Sequence, residues 1–177
     1  MTRLESVQDL PDLWKETYDL VAQVPKGKVT TYGAVAKALG DLAASRFVGL
    51  AMSKNDDIVR VPCRRVVQSD GQLGGYTGGG ALKKRSLLRS EGVEVKGTKV
   101  VDFERIMFTD FETKDPKPLA ELRDRQRRLK RHLVLSKCKR EVERVAGVDI
   151  AYDGSRAYAA MVTLDYRNLH EVERRVT

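Results

Sequence analysis

The sequence predicts an α+β fold in two unequal parts: short helices and glycine turns in front, then one charged helix leading into a three-strand meander. Three observations predict it. Short helical periodicities broken by Pro and Gly run from Leu10 to Ser53. Six glycines then crowd residues 71–80. Beyond residue 140 the apolar pattern shifts to the two-residue alternation of strands. The boundaries that follow are 1–95 for a first domain, 96–118 for a linker and 119–177 for the second part.

Within the first part, Leu13, Tyr18, Leu20, Val21 and Val24 fall at helical spacing, and Pro25 and Gly27 end that helix. Val29 and Thr30 make a short extended piece. Thr31 is placed to cap a helix over Tyr32–Leu39, which Gly40 stops. A second short helix follows over about 43–53. Two short helices around a tight glycine turn form a helix-turn-helix pattern, whose second helix, here carrying Arg46, is the one that enters a DNA groove. Val59, Val61, Val66 and Val67 surround Cys63 in an apolar stretch. Helix resumes over Lys83–Ser90. In the second part a helix is expected over 119–140, then strands over 144–152, 157–165 and 169–176, with 144–152 reading as a buried strand.

Composition narrows the function classes. Of 177 residues 41% are hydrophobic and 33% charged, a globular profile rather than a disordered one. No apolar run approaches the ~20 residues of a membrane helix, and the N-terminus MTRLESVQDLPDLW has no apolar signal region. The expectation is a cytoplasmic protein with no membrane partner. Two cysteines, Cys63 and Cys138, make neither a disulfide framework nor a four-cysteine zinc site. A net charge of +8 suits a polyanion partner such as nucleic acid.

Cys63 is the centre of the chemistry. A cysteine reacts as its thiolate, which nearby positive charge stabilises, and Arg64 and Arg65 directly follow it. Each neighbouring residue read alone has an ordinary role: Tyr32 packs a helix pair, Arg46 is a solvated charge, Asn55 makes a turn, Glu91 pairs with Arg89 or Lys83. The joint spacing is what singles them out. The blocks VPKGKVTTYGAVAKALG (24–40), SRFVGLAMSKN (45–55), VPCRRVVQSDGQLGGYTGG (61–79) and LLRSEGV (87–93) resemble, in order and spacing, the active-site domain of the O6-alkylguanine-DNA alkyltransferases.

That resemblance implies a winged helix-turn-helix-like fold and a set of roles. Cys63 matches the alkyl acceptor. Tyr32 matches the tyrosine beside the target phosphate that helps rotate the nucleotide out, and Arg46 the arginine that fills the gap left in the stack. Asn55 matches the asparagine supporting the active-site turn. Tyr76, Gly78 and Gly79 match the pocket wall beside the flipped base, and Glu91 the acid that orients the catalytic relay. The implied partner is double-stranded DNA with a flipped-out alkylated base, bound by a monomer, with no cofactor for alkyl transfer. One position departs: Arg64 stands where the family carries histidine, and arginine cannot take up a proton at neutral pH. Two outcomes stay open. Arg64, paired with Glu91, holds a preformed thiolate; or activation is weakened and the domain binds damage without transferring the alkyl group.

From LRDRQRRLKRHL (122–133) through VERVAGVDIAYDGSRAYAAMVTLDY (142–166) the chain resembles the beginning of endonuclease V, a magnesium-dependent nuclease with a ribonuclease H-like fold that cuts near deaminated bases. Asp149 matches the first of that family's metal-binding carboxylates. The match implies Mg2+ for a complete nuclease half. A single carboxylate does not build such a site, so the expectation is an incomplete domain without endonuclease activity in these 177 residues.

Overall fold

The computed structural model describes residues 10–133, 141–154 and 156–177; Cys138 and the end of the helix expected over 119–140 lie outside them. The chain divides into two compact units, Met1–His132 and Leu133–Thr177.

The first unit opens with helix α1 (Leu13–Ala22), whose start is fixed by Asp12: its carboxylate accepts hydrogen bonds from the Trp14 and Lys15 amides at 3.0 and 3.1 Å. Strand β1 (Thr30–Thr31) leads directly into helix α2 (Tyr32–Leu39). As its sequence requires, Thr31 Oγ1 caps α2 through the Ala34 amide at 3.0 Å, and Gly40, at φ 111°, ends it. A 3-10 turn over Leu42–Ala44 precedes helix α3 (Ser45–Ser53). Strand β2 (Val66–Val67) pairs in parallel with β1. Helix α4 (Gly80–Ser90) follows the glycine-rich loop.

Residues 96–118, expected to be a linker, are largely built into this unit. Val95–Lys96 (β3) and Lys99–Val100 (β4) form a hairpin turned by Gly97, Phe103–Ile106 (α5) is a helical turn, and Val29 bridges to Met107. The reason lies in burial: Val95 and Val100 are 1% and 3% exposed, and Phe103 and Ile106 pack beside them. Helix α6 (Pro118–Lys130) also belongs here rather than with the strands behind it. Its Leu119 packs against the helical core.

Two apolar clusters hold the unit together. One joins α1, α2 and α3 to Val61, Cys63 and Val66; the other joins Val29, Val67, Leu73, Leu88 and Val93 to the hairpin. Strand β2 is the hinge between them, because successive side chains of a strand point to opposite faces: Val66 enters the first cluster and Val67 the second. Cys63 therefore sits where the helix-turn-helix meets the rest of the unit. Val59, expected in the same apolar stretch, is instead 88% exposed in the loop before it.

The second unit is an antiparallel meander of β5 (Arg144–Asp153), β6 (Arg156–Asp165) and β7 (Glu171–Val176), in spatial order β5-β6-β7. Strand β5 was expected to be buried, but all ten of its residues are exposed, Val148 by 71% and Tyr152 by 76%. Among the described residues of this unit there is no helix to cover either face of the sheet.

Candidate active site

Cys63 begins a single 3-10 turn, Cys63–Arg65, between Pro62 and β2. Asn55, just past the end of α3, holds the approach to that turn. Its Nδ2 donates to the Val61 carbonyl at 2.8 Å, and its Oδ1 accepts from the Asp57 amide at 3.1 Å. The amide of Cys63 itself donates to the Val61 carbonyl at 2.7 Å. Asn55 is buried, so losing these bonds would leave polar groups unmatched. The end of the helix-turn-helix and the nucleophile are thereby locked in one register.

On the other side of the turn, Arg64 and Arg65 converge on Glu91, the C-terminal cap of α4. Arg64 Nε donates to Oε1 at 2.7 Å, while Arg65 Nε and Nη2 reach Oε2 and Oε1, each at 2.8 Å. The remaining guanidinium donors are used on backbone: Arg64 Nη1 on the Ile58 carbonyl and Arg65 Nη1 on the Val24 carbonyl. All three side chains are at most 16% exposed. Burial pushes the Glu91 carboxyl up, but the hydrogen bonds and charges of Arg65 and Arg64 outweigh it and hold its pKa below the usual carboxylate range. Glu91 thus does not pair with Arg89 or Lys83. Two guanidiniums against one carboxylate leave the cluster with a net positive charge, with no group among the three able to accept a proton at neutral pH.

Tyr18, Tyr32 and Tyr76 pack against the cluster that contains Cys63. Burial pushes the phenols of Tyr32 and Tyr76 up, and negative charge on Cys63 pushes them further, so both remain proton donors at neutral pH. Arg64 acts on Tyr76 in the opposite direction. The Tyr76 hydroxyl is buried without a hydrogen-bond partner among the described residues. Its ring lies over Gly78, where an added Cβ would come within 2.8 Å of the ring. Gly79, at φ 122°, turns the chain into α4.

Sequence reasoning missed Lys84. It is fully buried on α4, with Nζ donating to the Val66 and Leu73 carbonyls at 2.6 Å each. Burial lowers its pKa to about 8, against the opposing pull of Cys63. The signal was a lysine at a core position of a helix, seven residues before Glu91.

Cys63 is only 3% exposed. A cleft of about 590 Å3, lined in part by Thr31, Gly33, Ala34, Lys37, Ser69 and Phe111, does not include it. Arg46 stands apart from the cluster, exposed at the second position of α3. The exposed positions Arg46, Leu50 and Ser53 recur at helical spacing, while Val48, Ala51 and Met52 are buried. The structure therefore gathers Cys63, Arg64, Glu91, Tyr32, Tyr76 and Asn55 at one place, with Gly78 against the Tyr76 ring and Gly79 beside Lys83. It leaves Arg46 on the outer face of the helix-turn-helix.

Asp149 lies in the second unit, exposed on β5 opposite Ala160. Its Oδ1 accepts from the Ile150 amide at 2.9 Å. Among the described residues no group of three or more His, Cys, Asp or Glu is placed to hold a metal ion.

Residues 12–93 match the family model described as the DNA binding domain of 6-O-methylguanine DNA methyltransferase. Residues 12–93 belong to that family. The methyltransferase domain also aligns with a methylated-DNA–protein-cysteine methyltransferase of Methanothermobacter thermautotrophicus, 42% identical over 83 residues, covering 47% of this chain and 46% of that protein. A bifunctional methyltransferase/endonuclease of Picrophilus torridus is 36% identical over 154 residues, which is 87% of this chain and 50% of that protein. The chain spans about half the length of the curated relatives it matches. A solved structure of S. pombe Atl1 in complex with damaged DNA containing O6-carboxymethylguanine is 30% identical, covers 55% of this chain and 94% of that one, and has a TM-score of 0.49.

Proposed function

We propose that the methyltransferase domain repairs DNA by moving the alkyl group of an O6-alkylguanine onto Cys63, once per molecule. The observation that carries this reading is the cluster around Cys63: a cysteine on a turn braced by Asn55 and by the Arg64–Arg65–Glu91 ion cluster, behind a helix-turn-helix with an exposed arginine. O6 of guanine is inaccessible in the duplex, so the base must leave the stack at a cost of a few kcal/mol. Arg46, entering the vacated space from α3, and phosphate contacts offset that cost. The everted base then meets Tyr76, whose unpaired hydroxyl supplies a hydrogen-bonding group. Because Cys63 is only 3% exposed, the residues around it have to part to admit a purine.

The thiol proton leaves to solvent, since Arg64 cannot accept it. The sulfur attacks the alkyl carbon, an S–C bond forms, and the C–O bond breaks with its electron pair going to guanine O6. Tyr32, kept protonated by burial and by the sulfur's charge, delivers a proton to the departing base. The thioether is stable, so the acceptor is consumed and no cofactor takes part. In this reading the chain works as a monomer in the cytoplasm. The second unit, by its sequence resemblance, belongs to a ribonuclease H-like endonuclease V domain in this reading. Asp149 would supply one ligand to its Mg2+, but the residues present do not complete that site.

A second reading has one observation in its favour: Arg64, already bonded to Glu91 and Ile58, replaces the proton acceptor of the family. The domain would then recognise damage without transfer. Peptide mass mapping after incubation with O6-methylguanine duplex separates the two. Transfer adds one CH2 to the peptide holding Cys63 and disappears in Cys63→Ser; tight lesion binding with an unmodified Cys63 overturns it.

A further inference from the structure

Helix α6 stands outside the matched domain, yet it is seated on the helix-turn-helix. Gly40, which ends α2, has no side chain, and the backbone of Ala120 approaches to where a Cβ would lie 2.9 Å away. Arg123 forms an ion pair with Asp41, the residue that caps the turn between α2 and α3. An acidic group at that turn, five residues before Arg46, would repel a phosphate backbone; Arg123 neutralises it. Residues 121–131 carry six basic side chains against two acidic ones. Arg127 pairs with Asp124, and Arg125 with Glu121. Arg128, Lys130 and Arg131 are exposed, with no ion-pair partner among the described residues.

We propose that α6 is a second DNA-binding element, which lays Arg128, Lys130 and Arg131 along the phosphates of the duplex flanking the lesion. The proposal rests on the DNA-repair reading above, because it takes α3 to lie in a groove. Charge complementarity and continuity with the helix-turn-helix argue for duplex DNA as the occupant. From Arg128 to Arg131 the chain advances about 4.5 Å, and the long side chains fan out over roughly two to three neighbouring phosphates. The contact reads no sequence; it fixes orientation and lengthens the footprint beyond what the methyltransferase domain alone covers.

The experiment measures affinity of the full chain for a 30-base-pair O6-methylguanine duplex across a salt series. The variant Arg128→Gln/Lys130→Gln/Arg131→Gln is expected to lower the slope of log affinity against log salt by about 2 to 3, and to weaken binding on the order of tenfold or more at low salt. Replacing the same residues conservatively, Arg128→Lys/Arg131→Lys, should retain the slope. Methylation of Cys63 by free O6-methylguanine base, which needs no phosphate contact, should be the same in all three proteins. An unchanged slope in the Gln variant, with Cys63 still methylated by the duplex, overturns this inference alone. A wild-type chain with no affinity for the duplex overturns the DNA-repair reading and this inference with it.

Discussion

In the proposed transfer reaction, Arg64 decides how the sulfur is activated. Histidine at this position would exchange a proton with the thiol; a guanidinium supplies only fixed charge, and here it is shared with Glu91. The wild-type transfer rate should therefore show no break from an imidazole-like base, whereas Arg64→His should add one near pH ~6.5, read from single-turnover rates at each pH. A break in that range already present in the wild type would mean that some other base serves Cys63. Glu91 carries the complementary prediction. Its folded pKa lies below its ordinary value of 4.5, so its stabilising contribution is complete above that pH and is lost as acid takes the solution down through the folded value. Glu91→Ala leaves two mostly buried guanidiniums without their carboxylate and should cost about 3 kcal/mol at pH 7, measured by urea unfolding; the variant's stability should fall less steeply in acid than the wild type's, Asp19 and Asp41 supplying part of what remains. Cys63, Arg64 and Glu91 were legible in the sequence because their spacing was specific. The Arg65 branch of the cluster and Lys84 were not read: Lys84 stood at a core position of its helix, but nothing in the sequence names the Val66 and Leu73 carbonyls that hold it, nor brings Arg65 to Glu91.

At the scale of elements, α2 was readable to the residue because both of its ends carry their own chemistry: a threonine whose hydroxyl caps the first turn and a glycine in the left-handed region. The hairpin β3–β4 and the turn α5 were missed because strands of two residues are too short to show a period, and only long-range burial of Val95 and Val100 reveals them. Helix α6 was foreseen as a helix but assigned to the wrong neighbour, since a charged sequence does not say which surface its few apolar residues cover. Gly40 is the test of that assignment. Gly40→Ala forces an L residue to φ 111° and drives a Cβ against the Ala120 backbone. The strain alone is worth about 1–2 kcal/mol, and the clash with α6 adds to it. The melting temperature should fall, and amide exchange over residues 118–130 should speed up more than over α4. Faster exchange at α2 with α6 unaffected would contradict the packing described here.

On the scale of the whole molecule, a methyltransferase domain with its own two clusters of apolar side chains is followed by a meander whose ten-residue first strand is exposed throughout. The sequence resemblance in both parts matched the bifunctional relatives, which cover 87% of this chain in the case of Picrophilus torridus. What the sequence could not foretell is that Cys63 is only 3% exposed, because burial depends on packing between distant parts of the chain. The account stands on Cys63 being spent by a single reaction. The measurement that meets this most directly is a titration of the purified chain against an excess of O6-methylguanine duplex, counting restored guanine by nucleoside chromatography. The predicted result is a yield that stops at one guanine per chain, with the inactive product carrying its extra CH2 on Cys63. Restored guanine that keeps accumulating past one per chain, or none at all despite lesion binding, would contradict it.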